Sequence, residues 1–587
     1  MAEANTTTSM ATPTPSLVPD EHTIAPAPTI WDMLAKMDYF AIETKMILSA
    51  LIIIYLGAHA SLRRPPSAAP PTKLKRKAGK LVVDDEKEHF AQGFQASDAI
   101  LFPFLAGGVL IGLYYLIKWL QDPNLLNKIL RGYMALSGVL GMGIFFGDGL
   151  QSLLNLVFPD YWADRSGRVF EIDPVSRTQK LLKLPQGQDS EMEVDPKKGL
   201  PLPGFASELS VSAGFRKAVW TARHLLKEEC VLSLVILNRV VKFEVTVTGL
   251  VGLLISCTIE GLYLQTNSTM LSNILGLAVC YSAFIWMSVT SFAIGTMVLV
   301  GLFFYDIVMV FYTPFMIAVA TQVDAPIKLT YETAGRSSLL GLGDIVIPGI
   351  FICLALRFDL WRHYQRKVTR VEENLKTVSN QDSNINIGNA TETSTDNELT
   401  TIKTAYRTVK TPFVDPRGQW GNQLWTTSLR SLISGQPALK AMSDVSFSKT
   451  YFHATLFGYL IGMLSTLVVL IVFKHGQPAL LYLVPGVTGS AWLTGLVKGE
   501  LKDMWKYTED GSLDVEDVVV EVDGEGKVIE EKKSGEKDAE VKEIKDVKDK
   551  DDGEKKDGAK KGGGEKDEYE LFRFSITVPK EDSLKED

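Results

Sequence analysis

Two aspartates stand alone in long apolar runs. Asp306 lies in GLFFYDIVMVF (residues 301–311), where the nearest charged residue before it is Glu260 and the nearest after it is Asp324. Asp344 is the only charge in SSLLGLGDIVIPGIFICLAL, the stretch between Arg336 and Arg357. Ionisable side chains inside segments able to cross a bilayer are costly, and they mark functional positions. Two carboxyls held close together in low dielectric cannot both ionise, so such a pair keeps one proton between them. It can then hydrolyse a peptide bond: the ionised member takes a proton from water while the protonated member polarises the carbonyl. Proton-coupled transport is the other chemistry open to intramembrane carboxyl pairs. The absence of a detectable internal repeat disfavours it, because many transporters are built from inverted halves. Asp148, in FFGDGLQ, has no aspartate at a matching position and reads as a structural or interfacial polar residue. Glu260 has no assigned role.

The elements that must position this pair are membrane helices. Long uncharged stretches of about 20 residues, each able to span roughly 30 Å of hydrocarbon, recur along the chain. Nine spans are expected, at 40–62, 97–119, 130–157, 244–265, 270–289, 292–319, 337–357, 450–473 and 478–497. In the sixth, Asp306 is 14 residues from Phe292, about 21 Å at ~1.5 Å per residue. In the seventh, which runs the other way, Asp344 is 13 residues from Arg357, about 20 Å. The two carboxyls thus fall at matching depth on antiparallel neighbours. Gly341 and Gly343 flank Leu342 and allow close backbone approach, so a partly extended segment there could hold an unwound substrate strand by main-chain hydrogen bonds. Pro478 cannot donate a backbone hydrogen bond, which predicts irregular chain before the last span.

The cluster Arg63, Arg64, Lys73, Lys75, Arg76, Lys77 and Lys80 after the first span places that segment in the cytoplasm and the N-terminus in the lumen. Segments 158–243 and 358–449, both rich in Arg and Lys, then also face the cytoplasm, as does the C-terminal tail. The chain divides into a disordered N-terminus (1–36), spans one to three with their loops (37–243), spans four to seven with the carboxyl pair (244–357), a largely disordered loop (358–449), spans eight and nine (450–500) and a charged tail (501–587). The sequons at Asn5 and Asn267 fall on the lumenal side, the second too close to the membrane for modification.

The net charge of −8 comes from the N-terminus and tail, so it says little about nucleic acid. Cys230, Cys257, Cys280 and Cys353 contain no close pair, and seven histidines show no metal-ligand spacing. Neither a disulfide framework nor a zinc site is expected, and no metal or organic cofactor is called for. The Glu-, Lys- and Gly-rich tail beyond 507 has too few apolar residues to bury a core.

Tyr305-Asp306 in one span, Gly341-Leu342-Gly343-Asp344 in the next and Gln477-Pro478-Ala479-Leu480 at the last resemble the motif set of intramembrane aspartyl proteases of the GxGD class. The wider runs APIKL (325–329), GLGDIVIPGIF (341–351) and QPALLYLVPG (477–486) are similar to signal peptide peptidase rather than presenilin, within about residues 240 to 500. The resemblance implies an all-α, polytopic, presenilin-like fold of nine helices. It implies Asp306 and Asp344 as catalytic residues, with Tyr305, Gly341, Leu342, Gly343, Gln477, Pro478, Ala479 and Leu480 shaping the site and binding substrate. It also implies an endoplasmic reticulum membrane protein that cleaves type II-oriented transmembrane segments such as remnant signal peptides. Its implied partners are those substrates, the membrane-protein degradation machinery and a second copy of the chain. A relative acting in another compartment is the near alternative. The insertion 363–440 and the tail beyond 507 exceed the family core.

Overall fold

The computed structural model describes residues 37–69, 74–77, 80–83, most of 93–375, 403–426, 446–473, 477–513, 520–521 and 572–577. The N-terminal segment 1–36 with Asn5, residues 325–327 of APIKL, the middle of the 358–449 loop and most of the tail lie outside the described residues.

The helices are α1 (Met37–Ala60), α2 (Ala96–Leu120), α3 (Pro123–Val157), α4 (Ala213–Lys227), α5 (Val247–Thr266), α6 (Thr269–Trp286), α7 (Phe292–Phe311), α8 (Phe315–Gln322), α9 (Leu342–Gln365), α10 (Trp420–Thr426), α11 (Thr450–Phe473), α12 (Leu480–Lys498) and α13 (Leu501–Lys506). Among the described residues eight are long and apolar enough to cross a membrane: α1, α2, α3, α5, α6, α7, α11 and α12. The expected seventh span, α9, falls outside that set because Asp344, Arg357, Asp359 and Arg362 interrupt its apolar run. It is nevertheless the enclosed helix of the bundle. Ile350 through Leu360 are all buried, and α1, α6, α7, α11 and α12 pack around it. A helix buried on every side belongs at the centre of an assembly.

Several boundaries differ from the expected spans, each for a local reason. The sixth stops at Phe311 rather than 319, because Pro314 lacks an N–H and disfavours helix at the residue before it. The seventh begins at Leu342 rather than 337. Residues Arg336–Gly341 form strand β10, paired antiparallel with β9 (Lys328–Thr333), with Gly341 opposite Lys328 and Arg336 opposite Thr333. That helix also runs past the 357 boundary to Gln365. The fourth begins at Val247, where the Thr246 hydroxyl caps it by accepting from the Gly249 N–H at 3.1 Å.

The hydrophilic segments carry small antiparallel sheets that the all-helical reading does not anticipate. Strand β1 (Leu74–Lys77) pairs with β2 (Lys80–Val83). Strands β3 (Tyr161–Ala163), β4 (Val169–Asp173), β5 (Thr178–Leu182) and β6 (Glu193–Val194) form a sheet of four strands, and β7 (Glu229–Ile236) pairs with β8 (Arg239–Thr246) on one side. On its other side β7 pairs with Phe572–Thr577, so this alternating apolar–polar piece of the tail is a strand. The start of the expected solvated tail is packed too. Gly499, at φ +69°, ends α12 in the left-handed conformation that favours glycine, and α13 then folds back with Met504 fully buried.

With no water to expel, helices in lipid associate through close packing at small residues. A Cβ on Gly458 of α11 would sit 2.2 Å from the Gly486 carbonyl oxygen of α12, and one on Gly486 would sit 2.5 Å from the Gly458 oxygen. Gly252 of α5 approaches the backbone of Gly147 and Gly143 on α3 in the same way. Phe284 of α6 fills the space that side chains at Gly57 and Gly349 would need, locking α1, α6 and α9 together.

Candidate active site

Helix α7 buries Asp306, which is 4 % exposed. Its Oδ2 accepts a hydrogen bond from the Leu480 N–H at 3.2 Å. Leu480 is the first residue of α12, so the donor is one of the N–H groups that a helix start leaves unpaired. The chain is non-helical at Gln477 and Pro478, as expected from the proline. Pro478 is buried against protein, where irregular backbone at membrane depth is tolerated. Tyr482 donates to Gln477 Oε1 at 2.7 Å and braces the approach.

Asp344 is half-buried in the first turn of α9 and lies within electrostatic reach of Asp306. The expectation placed it seven residues inside a helix. The hairpin instead puts it at the junction between extended chain and helix. Gly341 makes that junction, with φ −63° and ψ 137°. A Cβ there would come 3.3 Å from Asp344 Oδ2, so glycine leaves the carboxyl room. Gly343 is exposed, whereas Leu342 is buried against Gly276 of α6. Tyr459 of α11, fully buried, donates to the Asp344 main-chain oxygen at 3.4 Å. Tyr305 is half-buried and turned toward Gly107 of α2.

The structure therefore gathers Asp306, Asp344, the Gly341–Gly343 turn and the Gln477–Leu480 segment at one place, with Tyr305 on its α2 side. It also supplies positioning groups that the sequence reading missed. Asn273 of α6 bonds reciprocally to Thr330 of β9: its Nδ2 donates to the Thr330 oxygen at 2.7 Å, and its Oδ1 accepts from the Thr330 N–H at 2.8 Å. Tyr331 donates to Ser49 Oγ of α1 at 2.9 Å. The β9 side of the hairpin is thus tied to the bundle, while the outer edge of β10 pairs with no strand among the described residues. An asparagine within the apolar run TMLSNILGL was the available signal.

Asp148 is elsewhere, accepting from the Tyr281 hydroxyl at 2.7 Å. The expected result for Asp148→Asn is cleavage within severalfold of wild type; a loss like that from an essential acid would return this residue to the site. Glu260 is buried on α5, and neither carboxylate oxygen has a hydrogen-bond partner among the described residues. Among those residues no cluster of His, Cys, Asp or Glu could hold a metal.

Comparison with known proteins adds the following. The family model described as signal peptide peptidase matches residues 86–511. The signal peptide peptidase of Mus musculus is 24 % identical over 481 residues, covering 80 % of this chain and 83 % of the mouse protein. Intramembrane protease 2 of Caenorhabditis elegans is 31 % identical over 261 residues, 43 % of this chain and 41 % of the worm protein. A probable intramembrane protease of Schizosaccharomyces pombe is 29 % identical over 261 residues, 43 % of this chain and 63 % of the yeast protein.

Proposed function

Because the chain belongs to the signal peptide peptidase family, and is thereby a membrane-embedded protease, we propose that Asp306 and Asp344 hydrolyse peptide bonds within type II-oriented transmembrane segments such as remnant signal peptides. The observation that carries the reading is convergence. Three short motifs, far apart in sequence and on three different helices, meet where the Leu480 N–H reaches Asp306 and Asp344 lies in the field of that carboxyl.

In the reaction the two carboxyls hold one proton between them. The ionised member takes a proton from a water molecule, whose oxygen attacks the scissile carbonyl carbon. The protonated member donates to the carbonyl oxygen as charge develops there. Collapse of the tetrahedral intermediate breaks the C–N bond, and a carboxyl proton passes to the leaving nitrogen, which restores the pair. A helical substrate must first unwind, because its peptide groups are otherwise bonded within the helix. The outer edge of β10, which pairs with no strand among the described residues and leads directly into Gly341 and Asp344, can pair with the unwound strand and present its next peptide bond to the carboxyls.

The lumenal N-terminus, cytoplasmic C-terminus, nine-span layout with the loop and tail divisions given above, and endoplasmic reticulum residence belong to this reading. So do the degradation machinery and a second copy of the chain as partners. A related protease of another compartment is the second reading, favoured by the long insertion and tail.

The test uses purified full-length protein in detergent and a type II signal-peptide substrate. Wild type is expected to cleave it, and a peptide mimic carrying a hydroxyl in place of the scissile carbonyl is expected to compete, since such mimics match the transition state. No cleavage across a panel of such substrates, or cleavage indifferent to the mimic, overturns the proposal.

A further inference from the structure

The end of the bundle remote from the hairpin holds a buried charge cluster built around the segment that follows α12. Glu509 is 6 % exposed and saturated with donors. Its Oε1 accepts from Arg357 Nε of α9 and from the Tyr507 hydroxyl, both at 2.7 Å. Its Oε2 accepts from Ser288 Oγ, in the turn before α7, at 3.1 Å, and pairs with Arg63 beyond α1. Its own N–H donates to the Thr290 oxygen at 2.8 Å. Arg357, 3 % exposed, spends its other nitrogens on Ser288 at 2.9 Å and Ser61 at 3.3 Å. Burial alone would push the Glu509 carboxyl up, but Arg357 first and Arg63 next hold it below its ordinary value. Nine residues earlier, Glu500 pairs with Arg362 of α9 and accepts from the Tyr451 hydroxyl of α11 at 2.7 Å. Between the two glutamates, Tyr507 packs its ring edge-on to Phe358 and tilted against Trp361 of α9, each at 5.2 Å between centroids.

Each helix bearing part of the proposed site is held here. Helix α7 begins at Phe292, just after the Ser288–Thr290 turn, and Phe292 is about 21 Å from Asp306 by helical rise. Helix α9 is gripped at Arg357, about 20 Å from Asp344. Helix α12 continues directly into the gripping segment, while its far end bonds Asp306. The two carboxyls are therefore set off at comparable lengths from one fixed cluster, along helices that carry an axial shift from end to end.

We propose that Glu500–Glu509 is a clasp that sets the axial register of α7, α9 and α12, and that Glu509 is a positioning residue for the carboxyl pair. This rests on the reading of the preceding subsection. Breaking the clasp lets α9 slide or tilt relative to α7, which separates the carboxyls while leaving the β10 edge in place. Turnover falls and substrate capture does not.

The test compares wild type and Glu509→Gln, both full length, in the detergent cleavage assay. Glu509→Gln is expected to lose kcat on the order of 10²-fold, as misplacement by about 1 Å does, with KM within about twofold. The affinity of the hydroxyl-bearing mimic falls with kcat, since both report fit to the transition state. Glu509→Gln that stays monodisperse and turns over like wild type overturns the proposal, as does lowered thermal stability with kcat unchanged. If Glu509→Gln aggregates, Tyr507→Phe removes one hydrogen bond and no charge. It is expected to lower kcat about fivefold, the scale of a single hydrogen bond, and unchanged kcat there rejects the clasp. Wild type that never cleaves strikes the protease mechanism itself, so the two failures are distinguishable.

Discussion

Asp306→Ala and Asp344→Ala are each expected to abolish cleavage of a type II signal-peptide substrate, by at least about 10⁴-fold, the scale on which acid–base groups acting as a unit fail. The two losses should be equal and should not add in the double variant, because either carboxyl alone leaves a site that can activate water or polarise a carbonyl but not both. Stability should move the other way or not at all. Among the described residues the buried Asp306 carboxyl accepts one hydrogen bond, from the Leu480 N–H, and removing a buried, sparsely bonded carboxyl relieves desolvation. Size-exclusion profiles and thermal unfolding of both variants, run beside the cleavage assay, separate a dead site from a lost fold. Substantial cleavage by either variant would sink the shared-proton mechanism.

Gly458→Ala is the smallest substitution expected to cost both stability and activity. The added methyl meets backbone, the Gly486 carbonyl at 2.2 Å, and no rotamer change can relieve that contact. Helices α11 and α12 must move apart by about 1 Å or more, at an overpacking cost of about 1–3 kcal/mol. The shift is transmitted to the start of α12, where Leu480 meets Asp306, and there an ångström costs on the order of 10²-fold in rate. Gly489→Ala is the matched control, since a Cβ at Gly489 meets nothing within 4 Å. Equal melting temperatures and rates for the two variants would show that the crossing yields more easily than backbone contact allows.

The two aspartates could be read directly because an isolated charge in an apolar run has so few explanations. Their equal depth followed from helical rise alone, and the proline before α12 announced irregular chain. The hairpin could not be read in the same way. Residues 337–341 are short, apolar or small, and continuous with a span, so composition assigned them to a helix. Only pairing with 328–333, an interaction between two segments, makes them a strand. Arg357 reads in sequence as the charge at which a span ends, whereas its guanidinium is buried against Glu509. That partner lies beside a tail of glutamates and lysines, where nothing in composition separates one buried carboxylate from many solvated ones. Pattern reading finds charges that are out of place, and it overlooks a charge that is at home only in three dimensions.

The position of Glu509 also bears on how the protein is made. It is synthesised 165 residues after Asp344. At about 5–20 residues per second, the ribosome takes roughly 10–30 s to cover that distance. Both carboxyl-bearing helices are thus complete well before the group that fixes their register exists. On the proposed register mechanism, the nascent chain spends that interval with its two carboxyls out of alignment. On the proposed mechanism, competence to cleave arrives only with late translation.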